Sequence, residues 1–341
     1  MRKVTGGNFK FAYRGVIILA ILLTSILTSP AVCFAIVFPI MDSICDEFGV
    51  SRSKVHFPLG MACIACCGIL PFGFAISQAA VFSGLMETYG FTQSFTALEF
   101  TRGRWPAIVL VILWAFFIAP KYTLEKPATA IVGIKGSALS TGKDWLGSLV
   151  FILTILALIF NSQLGLASWL IVLTGCVLLL LFGVLTSKEA INAMPFDIGF
   201  MFIGANAMAS ALVNTGTADL VGAKISELLG SNPSNVLLAV VFFVVPFILT
   251  QFMNNQAVMN IFAPICLLTC KAIGADPRGL LLLICSACLT AFMTPSATAA
   301  IPMVMGAGGY DVKSLTKMGW LFAVLVAVMY VAYVTITMPA I

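Results

Sequence analysis

Five polar side chains lie within seven residues of a long apolar stretch, in the sequence TQFMNNQAVMNIFAP at 250–264. They are Thr250, Gln251, Asn254, Asn255 and Gln256. Amide and hydroxyl groups cost free energy in hydrocarbon unless a partner satisfies them. Their oxygens suit hard cations, and amide N–H groups can bind an anion. The stretch therefore predicts one half of a binding site for a small solute.

This polar stretch interrupts an apolar helix, because apolar sequence leads into it and out of it. Irregular backbone inside a membrane is tolerated where it lines a cavity. We therefore predict a broken helix or a re-entrant hairpin with its tip at Asn254 and Asn255. The competing interpretation is that the amides at 254–256 only cap a kink and hold helices together.

The composition places the chain in a membrane. Hydrophobic residues make up 61% and charged residues only 9%, whereas a soluble domain has about 25% charged residues. The net charge of +5 is small and is explained by basic cytoplasmic loops, so we predict no nucleic-acid partner. The ten cysteines fall mostly in apolar stretches without an accompanying histidine, which favours packing over metal binding.

The two ends of the chain repeat each other, with a hydroxyl residue, a hairpin tip and a proline at the same spacing. The matched pairs are Ser25 with Thr250, Ser29 with Asn254 and Pro39 with Pro264. A helix broken at a loop of small residues follows each hairpin, at 71–78 and 294–300. Three predicted spans separate the units, at about 146–160, 166–186 and 195–214. Because three is an odd number, the second unit must be inverted. Inverted repeats with discontinuous helices are typical of secondary transporters.

These patterns predict an all-α polytopic membrane protein with inverted repeats, re-entrant hairpins and broken helices. The predicted organisation is a first repeat at 1–119, a cytoplasmic linker at 120–145 and a second, inverted repeat at 146–341. In the first repeat, an extracytoplasmic loop at 87–105 precedes a span. This arrangement places 13 of the 18 Lys and Arg residues inside, as the positive-inside rule requires. Apart from Asp197, the apolar cores are predicted to lack charged residues.

The motifs resemble those of the divalent anion:sodium symporter family of citrate and dicarboxylate transporters, in the ion transporter superfamily. That family carries Ser-Asn-Thr at each hairpin tip, ten residues before a proline. Here the second tip reads NNQ at 254–256 and the first reads SPA at 29–31. The second broken helix reads PSATAAI at 295–301 where the family has Pro-x-Ala-Thr-Pro-Pro-Asn, whereas FGFAISQ at 72–78 matches poorly.

The resemblance implies two sodium sites and a substrate site. It implies sodium ligands at Thr250, Asn255 and Ala297 in the second half and at Ser25, Ser29 and Gly73 in the first. In the first half, Pro30 replaces the asparagine of the family motif. The implied substrate contacts are Asn254, Asn255, Gln256, Ser29 and Thr298.

We therefore expect a multi-pass permease of the plasma membrane, not an enzyme, that carries a small organic anion such as a di- or tricarboxylate. Sodium is the expected coupling ion, no cofactor is expected, and the resemblance implies a homodimer in the lipid bilayer. Two alternatives stay open. One is proton coupling or sodium/proton exchange. The other is an incomplete or accessory subunit. Members of the family have about three more spans before the segment that begins here at residue 15, and a missing N-terminal segment or a partner chain would have to supply them.

Overall fold

The structure is a computed structural model that describes residues 8–26, 29–123, 141–159, 168–193, 215, 233–298 and 300–341. The described residues form helices and turns without strands. They group into two compact units, one of residues 1–127 with 200–341 and one of residues 128–199. The predicted division at 119 and 145 stays a prediction.

The helices are numbered in chain order. They are α1 Phe9–Ile26, α2 Pro30–Phe48, α3 His56–Ala65, α4 Phe74–Thr88, α5 Ala97–Arg104, α6 Pro106–Leu113, α7 Ala119–Tyr122, α8 Thr141–Ile159, α9 Ser168–Leu181, α10 Ser187–Ala193, α11 Asn235–Thr250, α12 Asn255–Ile273, α13 Arg278–Cys288, α14 Ala300–Gly308 and α15 Val312–Thr337. A 3-10 turn precedes α3, and a π-helical segment, Trp114–Ile118, joins α6 to α7.

The first hairpin consists of α1 and α2, which run antiparallel over their whole length. Near the turn, the Cys33 sulfur lies 3.6 Å from the Ala20 carbonyl. At the open end, the rings of Phe9 and Phe48 lie 5.9 Å apart. Pro30 begins α2, where its missing N–H removes no helical hydrogen bond.

The second hairpin consists of α11 and α12, and its elements follow the same order as those of the first. A broken helix follows each hairpin, formed by α3 and α4 in the first case and by α13 and α14 in the second. Matched residues lie 225 positions apart, as in Ser29 with Asn254, Cys45 with Cys270, Gly49 with Gly274 and Cys63 with Cys288. Both glycines end their helix with a positive φ, of 65° and 70°, which an L side chain rarely adopts. The inverted orientation of the second set stays a prediction.

Four helices in the described part of the chain are long and apolar enough to cross a membrane. They are Phe9–Ile26, Ala97–Tyr122, Asn255–Ile273 and Val312–Thr337. The prediction of an all-α polytopic membrane protein is therefore confirmed. Nine of the ten cysteines are buried, and Cys176 is half-buried. The predicted helix at 195–214 and most of the predicted linker lie outside the described residues.

One prediction is wrong: residues 97–104 form α5, not the end of a loop. Thr96 and Glu99 make a reciprocal capping box, in which each side chain accepts the other residue's backbone N–H. Such a box satisfies N–H groups that lack a partner at a helix start. The charged residues that suggested a loop therefore lie on a helix, which continues after Trp105 into α6.

The unit of residues 128–199 contains α8, α9 and α10. Helices α8 and α9 pack at Gly175, where an added Cβ would lie 2.5 Å from the Thr154 hydroxyl oxygen. These helices lie where the sequence predicts spans at 146–160 and 166–186.

Candidate functional site

The tips of the two hairpins meet at one cavity of about 180 Å³. The broken helices complete its wall. The lining residues are Ser29, Pro30, Ile64, Cys67, Phe74, Asn254, Asn255, Gln256, Met259, Leu289 and Thr298. None of these described lining residues is Asp, Glu, Lys or Arg.

Four helices begin at or beside this cavity. Ser29 and Asn254 are the N-cap residues of α2 and α12. Phe74 is the first residue of α4, and α14 begins at Ala300, two residues after Thr298. Each helix N-terminus carries a partial positive charge and N–H groups without helical partners. The cavity therefore suits an anion without any charged side chain in its wall.

The five predicted substrate residues all line this cavity, although their side chains differ in what they do. The Asn254 Oδ1 atom accepts the Gln256 backbone N–H at 2.8 Å, so this amide caps α12. The Gln256 Nε2 atom donates to Asn260 Oδ1 at 3.0 Å. Ser29 makes no side-chain cap to α2. Capping thus accounts for Asn254 but not for the whole set. The role of the five residues in substrate binding stays a prediction.

The predicted sodium ligands of the second half lie around the second tip. The buried Thr250 hydroxyl donates to Asn255 Oδ1 at 2.8 Å. Ala297 is buried in the loop between α13 and α14. That loop is bonded to the tip, because the hydroxyls of Ser296 and Thr294 both donate to the Gln251 carbonyl. The structure thus joins two of these predicted ligands directly and holds the third in a loop attached to the same tip.

Gln251 has a role that sequence reasoning missed. Its side chain is buried, its Oε1 atom accepts the Met293 N–H at 3.0 Å, and its Nε2 atom donates to the Phe247 carbonyl at 3.0 Å. It therefore fastens the tip to the broken helix. The signal in the sequence was its position as the first amide after α11.

The predicted sodium ligands of the first half are more dispersed. Ser29 lines the cavity, whereas Ser25 and Gly73 do not. The Ser25 hydroxyl is buried and donates to the Cys66 carbonyl at 3.2 Å. Gly73 caps α4 with a φ of 40°, and its carbonyl accepts the Ser77 N–H at 3.1 Å. The assignment of these three residues to sodium stays a prediction.

A second prediction is wrong: the apolar core contains a charged side chain, because Arg104 is fully buried. Its guanidinium donates to the carbonyls of Cys67 and Ala65, at 2.9 and 3.4 Å. It also lies 5.2 Å from the centroid of the Phe100 ring. The Thr96–Glu99 capping pattern would have placed Arg104 two turns inside a helix and so was the signal available in the sequence.

Comparison with known proteins gives a matching family and several relatives. The family model described as the sodium:sulfate symporter transmembrane region matches residues 6–338. The sodium-dependent dicarboxylate transporter SdcS of Staphylococcus saprophyticus is 25% identical over 151 residues, which are 44% of this chain and 29% of that protein. Solute carrier family 13 member 2 of Rattus norvegicus is 29% identical over 142 residues, 42% of this chain and 24% of that protein.

An uncharacterized transporter of Synechocystis is 23% identical over 172 residues, which are 50% of this chain and 27% of that protein. The matches to these curated relatives therefore each span less than a third of the relative's own length.

Proposed function

Because the chain belongs to the sodium:sulfate symporter family, we propose that it forms the core of a sodium-coupled secondary transporter for a small organic anion. A di- or tricarboxylate is the proposed substrate class. The family and the named relatives are transporters, in agreement with the prediction that the chain is not an enzyme. We further propose that it acts in the plasma membrane, as a homodimer, with the sequence or partner chain that completes its fold.

The observation that carries the proposal is the meeting of four helix N-termini at one uncharged cavity. An anion placed there gains hydrogen bonds and favourable dipole interactions from fixed groups. No buried lysine or arginine in the wall has to be neutralised when the cavity empties. At about 180 Å³, the cavity is smaller than the 300 Å³ or more that is usual for drug-sized ligands. It thus fits a compact solute.

Sodium would bind at Thr250, Asn255 and the loop that contains Ala297. In the described conformation, the Thr250 hydroxyl donates to the Asn255 oxygen. When this O–H turns away, the oxygens of Thr250 and Asn255 can both face a cation. Oxygen atoms are the ligands that hard cations prefer. A cation beside the cavity attracts the anion, and by linkage each ligand raises the affinity of the other by the same factor.

Proton coupling is the second candidate, and one pair of residues favours it. The Nε2 atom of His56 lies 3.1 Å from Asp42 Oδ1, and the His56 ring is fully buried. Histidine is the side chain that most readily exchanges a proton near neutral pH. Under this alternative, uptake would follow a proton gradient in the absence of sodium.

The test is anion uptake into proteoliposomes that contain the complete gene product. Radiolabelled succinate, citrate and sulfate are offered under an inward sodium gradient, with a potassium gradient of equal ionic strength as the control. We expect uptake of a carboxylate that depends on sodium and stops when an ionophore collapses the gradient. Uptake that ignores sodium but follows an imposed pH gradient would favour the second candidate. No uptake of any anion by the complete protein would contradict the proposed function.

A further inference from the structure

We propose that Arg104 is a fixed cation that takes the place of a sodium ion in the first half of the site. Only the second half then binds an exchangeable ion. The inference rests on the proposed function, because it states which positive charge each half of the proposed transport site holds. Its evidence is a set of backbone contacts that the sequence does not reveal.

The guanidinium of Arg104 covers the C-terminal end of α3. Its Nη1 atom donates to the carbonyls of Cys67 and Gly68, at 2.9 and 3.5 Å, and its Nη2 atom donates to the Ala65 carbonyl at 3.4 Å. The last carbonyls of a helix lack helical partners and carry the negative end of the dipole. A cation at this position is therefore stabilised by the backbone.

This charge is permanent and has no carboxylate partner within the described residues. Arginine stays protonated inside proteins. A buried charge is tolerated only where hydrogen bonds compensate for its lost hydration. Here the compensation comes from carbonyl oxygens at a helix break and from the face of Phe100. Carbonyl oxygens are also the ligands that a bound sodium ion would use.

Two hydroxyl groups cover the neighbouring carbonyls of the same helix end. Thr24 Oγ1 donates to the Cys63 carbonyl at 2.7 Å, and Ser25 Oγ donates to the Cys66 carbonyl at 3.2 Å. Five carbonyls between residues 63 and 68 thus accept from protein side chains. Little is left for an external cation, and Ser25, itself a predicted sodium ligand, acts as a donor.

The corresponding helix end in the second half is covered by a neutral group. Thr290 Oγ1 donates to the carbonyls of Ser286 and Ala287, at 3.1 and 2.9 Å. At the end of α13 the second half thus has a neutral hydroxyl, whereas at the end of α3 the first half has the charge of Arg104.

Arg104 is also close to the anion cavity. Cys67 lines the cavity, and its carbonyl accepts the shortest of the three Arg104 hydrogen bonds. The guanidinium is therefore one hydrogen bond away from a residue of the cavity wall. In a poorly hydrated region its attraction for an anion is weakly screened, and this attraction does not depend on the sodium concentration.

The experiment counts radioactive sodium bound at saturation by the purified complete protein, with choline chloride to hold ionic strength constant. Arg104→Gln removes the charge, Arg104→Lys keeps it, and Pro30→Asn restores the amide of the family motif while Arg104 stays in place. We expect Arg104→Gln to gain a sodium site that the wild type lacks. Arg104→Lys and Pro30→Asn should gain none.

A folded Arg104→Gln protein that binds no more sodium than the wild type would overturn the inference. So would a new site in Pro30→Asn, because that result would show that Pro30 and not Arg104 closes the first half. The Pro30→Asn variant keeps the test decisive if Arg104→Gln does not fold. A wild type that binds no sodium would contradict the proposed sodium coupling. The inference would still be judged by the difference between Arg104→Gln and wild type.

Discussion

The two hairpins have proline and glycine at matching positions, and their tips differ in chemistry. Both tips come ten residues before a proline, and both hairpins end at a glycine with positive φ. At the first tip, α2 begins with Pro30, which offers neither an N–H nor a polar side chain. At the second, α12 begins with Asn255, whose oxygen accepts the Thr250 hydroxyl. The residues that shape the chain are thus equivalent, whereas those that would face an ion are not.

The spacing pattern shared by the two hairpins therefore predicts geometry better than it predicts ligands. Turns and helix ends depend on a few residue types at set positions. Ion ligands depend on which oxygens remain free after packing, and in the first half Thr24, Ser25 and Arg104 use those oxygens. Substitutions at the two tips should therefore have unequal effects on ion binding and on stability, and equal effects would contradict this difference.

The largest expected effect is that of Asn255→Ala. Removal of this oxygen should abolish sodium-dependent anion binding by the complete transporter, a loss of more than about tenfold in sodium affinity, or about 1.4 kcal/mol. Anion binding is measured against sodium concentration, and folding is checked by the thermal unfolding midpoint. The control is Thr269→Ala on the same helix, because that hydroxyl bonds to the Ile265 carbonyl within the helix and Thr269 does not line the cavity. Unchanged sodium dependence in Asn255→Ala would mean that the tip amides are structural caps.

Gln251→Met should give the next largest effect, on stability. The substitution leaves the Met293 N–H and the Phe247 carbonyl without this side chain's hydrogen bonds, and each unsatisfied buried group costs about 1–3 kcal/mol. A lower thermal unfolding midpoint is expected. The control is Gln256→Met, at an exposed side chain. If both variants unfold at the same temperature, Gln251 does not fasten the second tip.

Thr24→Val tests the equivalent attachment of the first tip. It keeps the side-chain shape and removes one hydrogen bond, from the hydroxyl to the Cys63 carbonyl. The expected loss is about 1 kcal/mol, smaller than for Gln251→Met because one bond is removed and not two. Thr316→Val is the control, since that exposed hydroxyl bonds only within its own helix. A larger loss of stability for Thr24→Val than for Gln251→Met would contradict this expected order.

Pro30→Ala should have the smallest effect. Pro30 occupies the first position of α2, where either residue fits the helix. The sodium dependence of anion binding should shift less than about threefold, which is under about 1 kcal/mol. A shift as large as that of Asn255→Ala would show that the first tip takes part in ion binding despite its proline.

The sequence alone predicted the backbone of the candidate site well. The ten-residue spacing placed both tips, and the polar stretch led to three of the lining residues, Asn254, Asn255 and Gln256. Ser29 and Thr298 came from the repeat and the motif resemblance. These features are local, because a helix break depends on prolines, small residues and amides that are close in sequence.

The part that the sequence did not predict depends on packing between distant segments. The polar sequence FTRGR at 100–104 resembles an exposed loop. In the structure, Arg104 contacts carbonyls more than thirty residues earlier in the chain. The hydrogen bond from Thr24 to Cys63 likewise spans 39 residues. Hydrophobic periodicity carries no information about such contacts.

The short helix α5 connects the two broken helices. At one end, Glu99 pairs with Arg278 at the start of α13, with 2.7 Å between Oε1 and Nη1. At the other end, Arg104 holds the end of α3. Between them, Gly103 packs so closely on Leu282 of α13 that a Cβ would overlap it.

Helix α5 therefore couples the two broken helices mechanically. A force that displaces one broken helix is passed to the other through an ion pair, a close glycine contact and a buried guanidinium. We expect both tips to move together during transport, so that the cavity between them stays intact while it holds the solute. The solute would then enter and leave at the boundary between this moving unit and the rest of the protein, and not by separation of the tips.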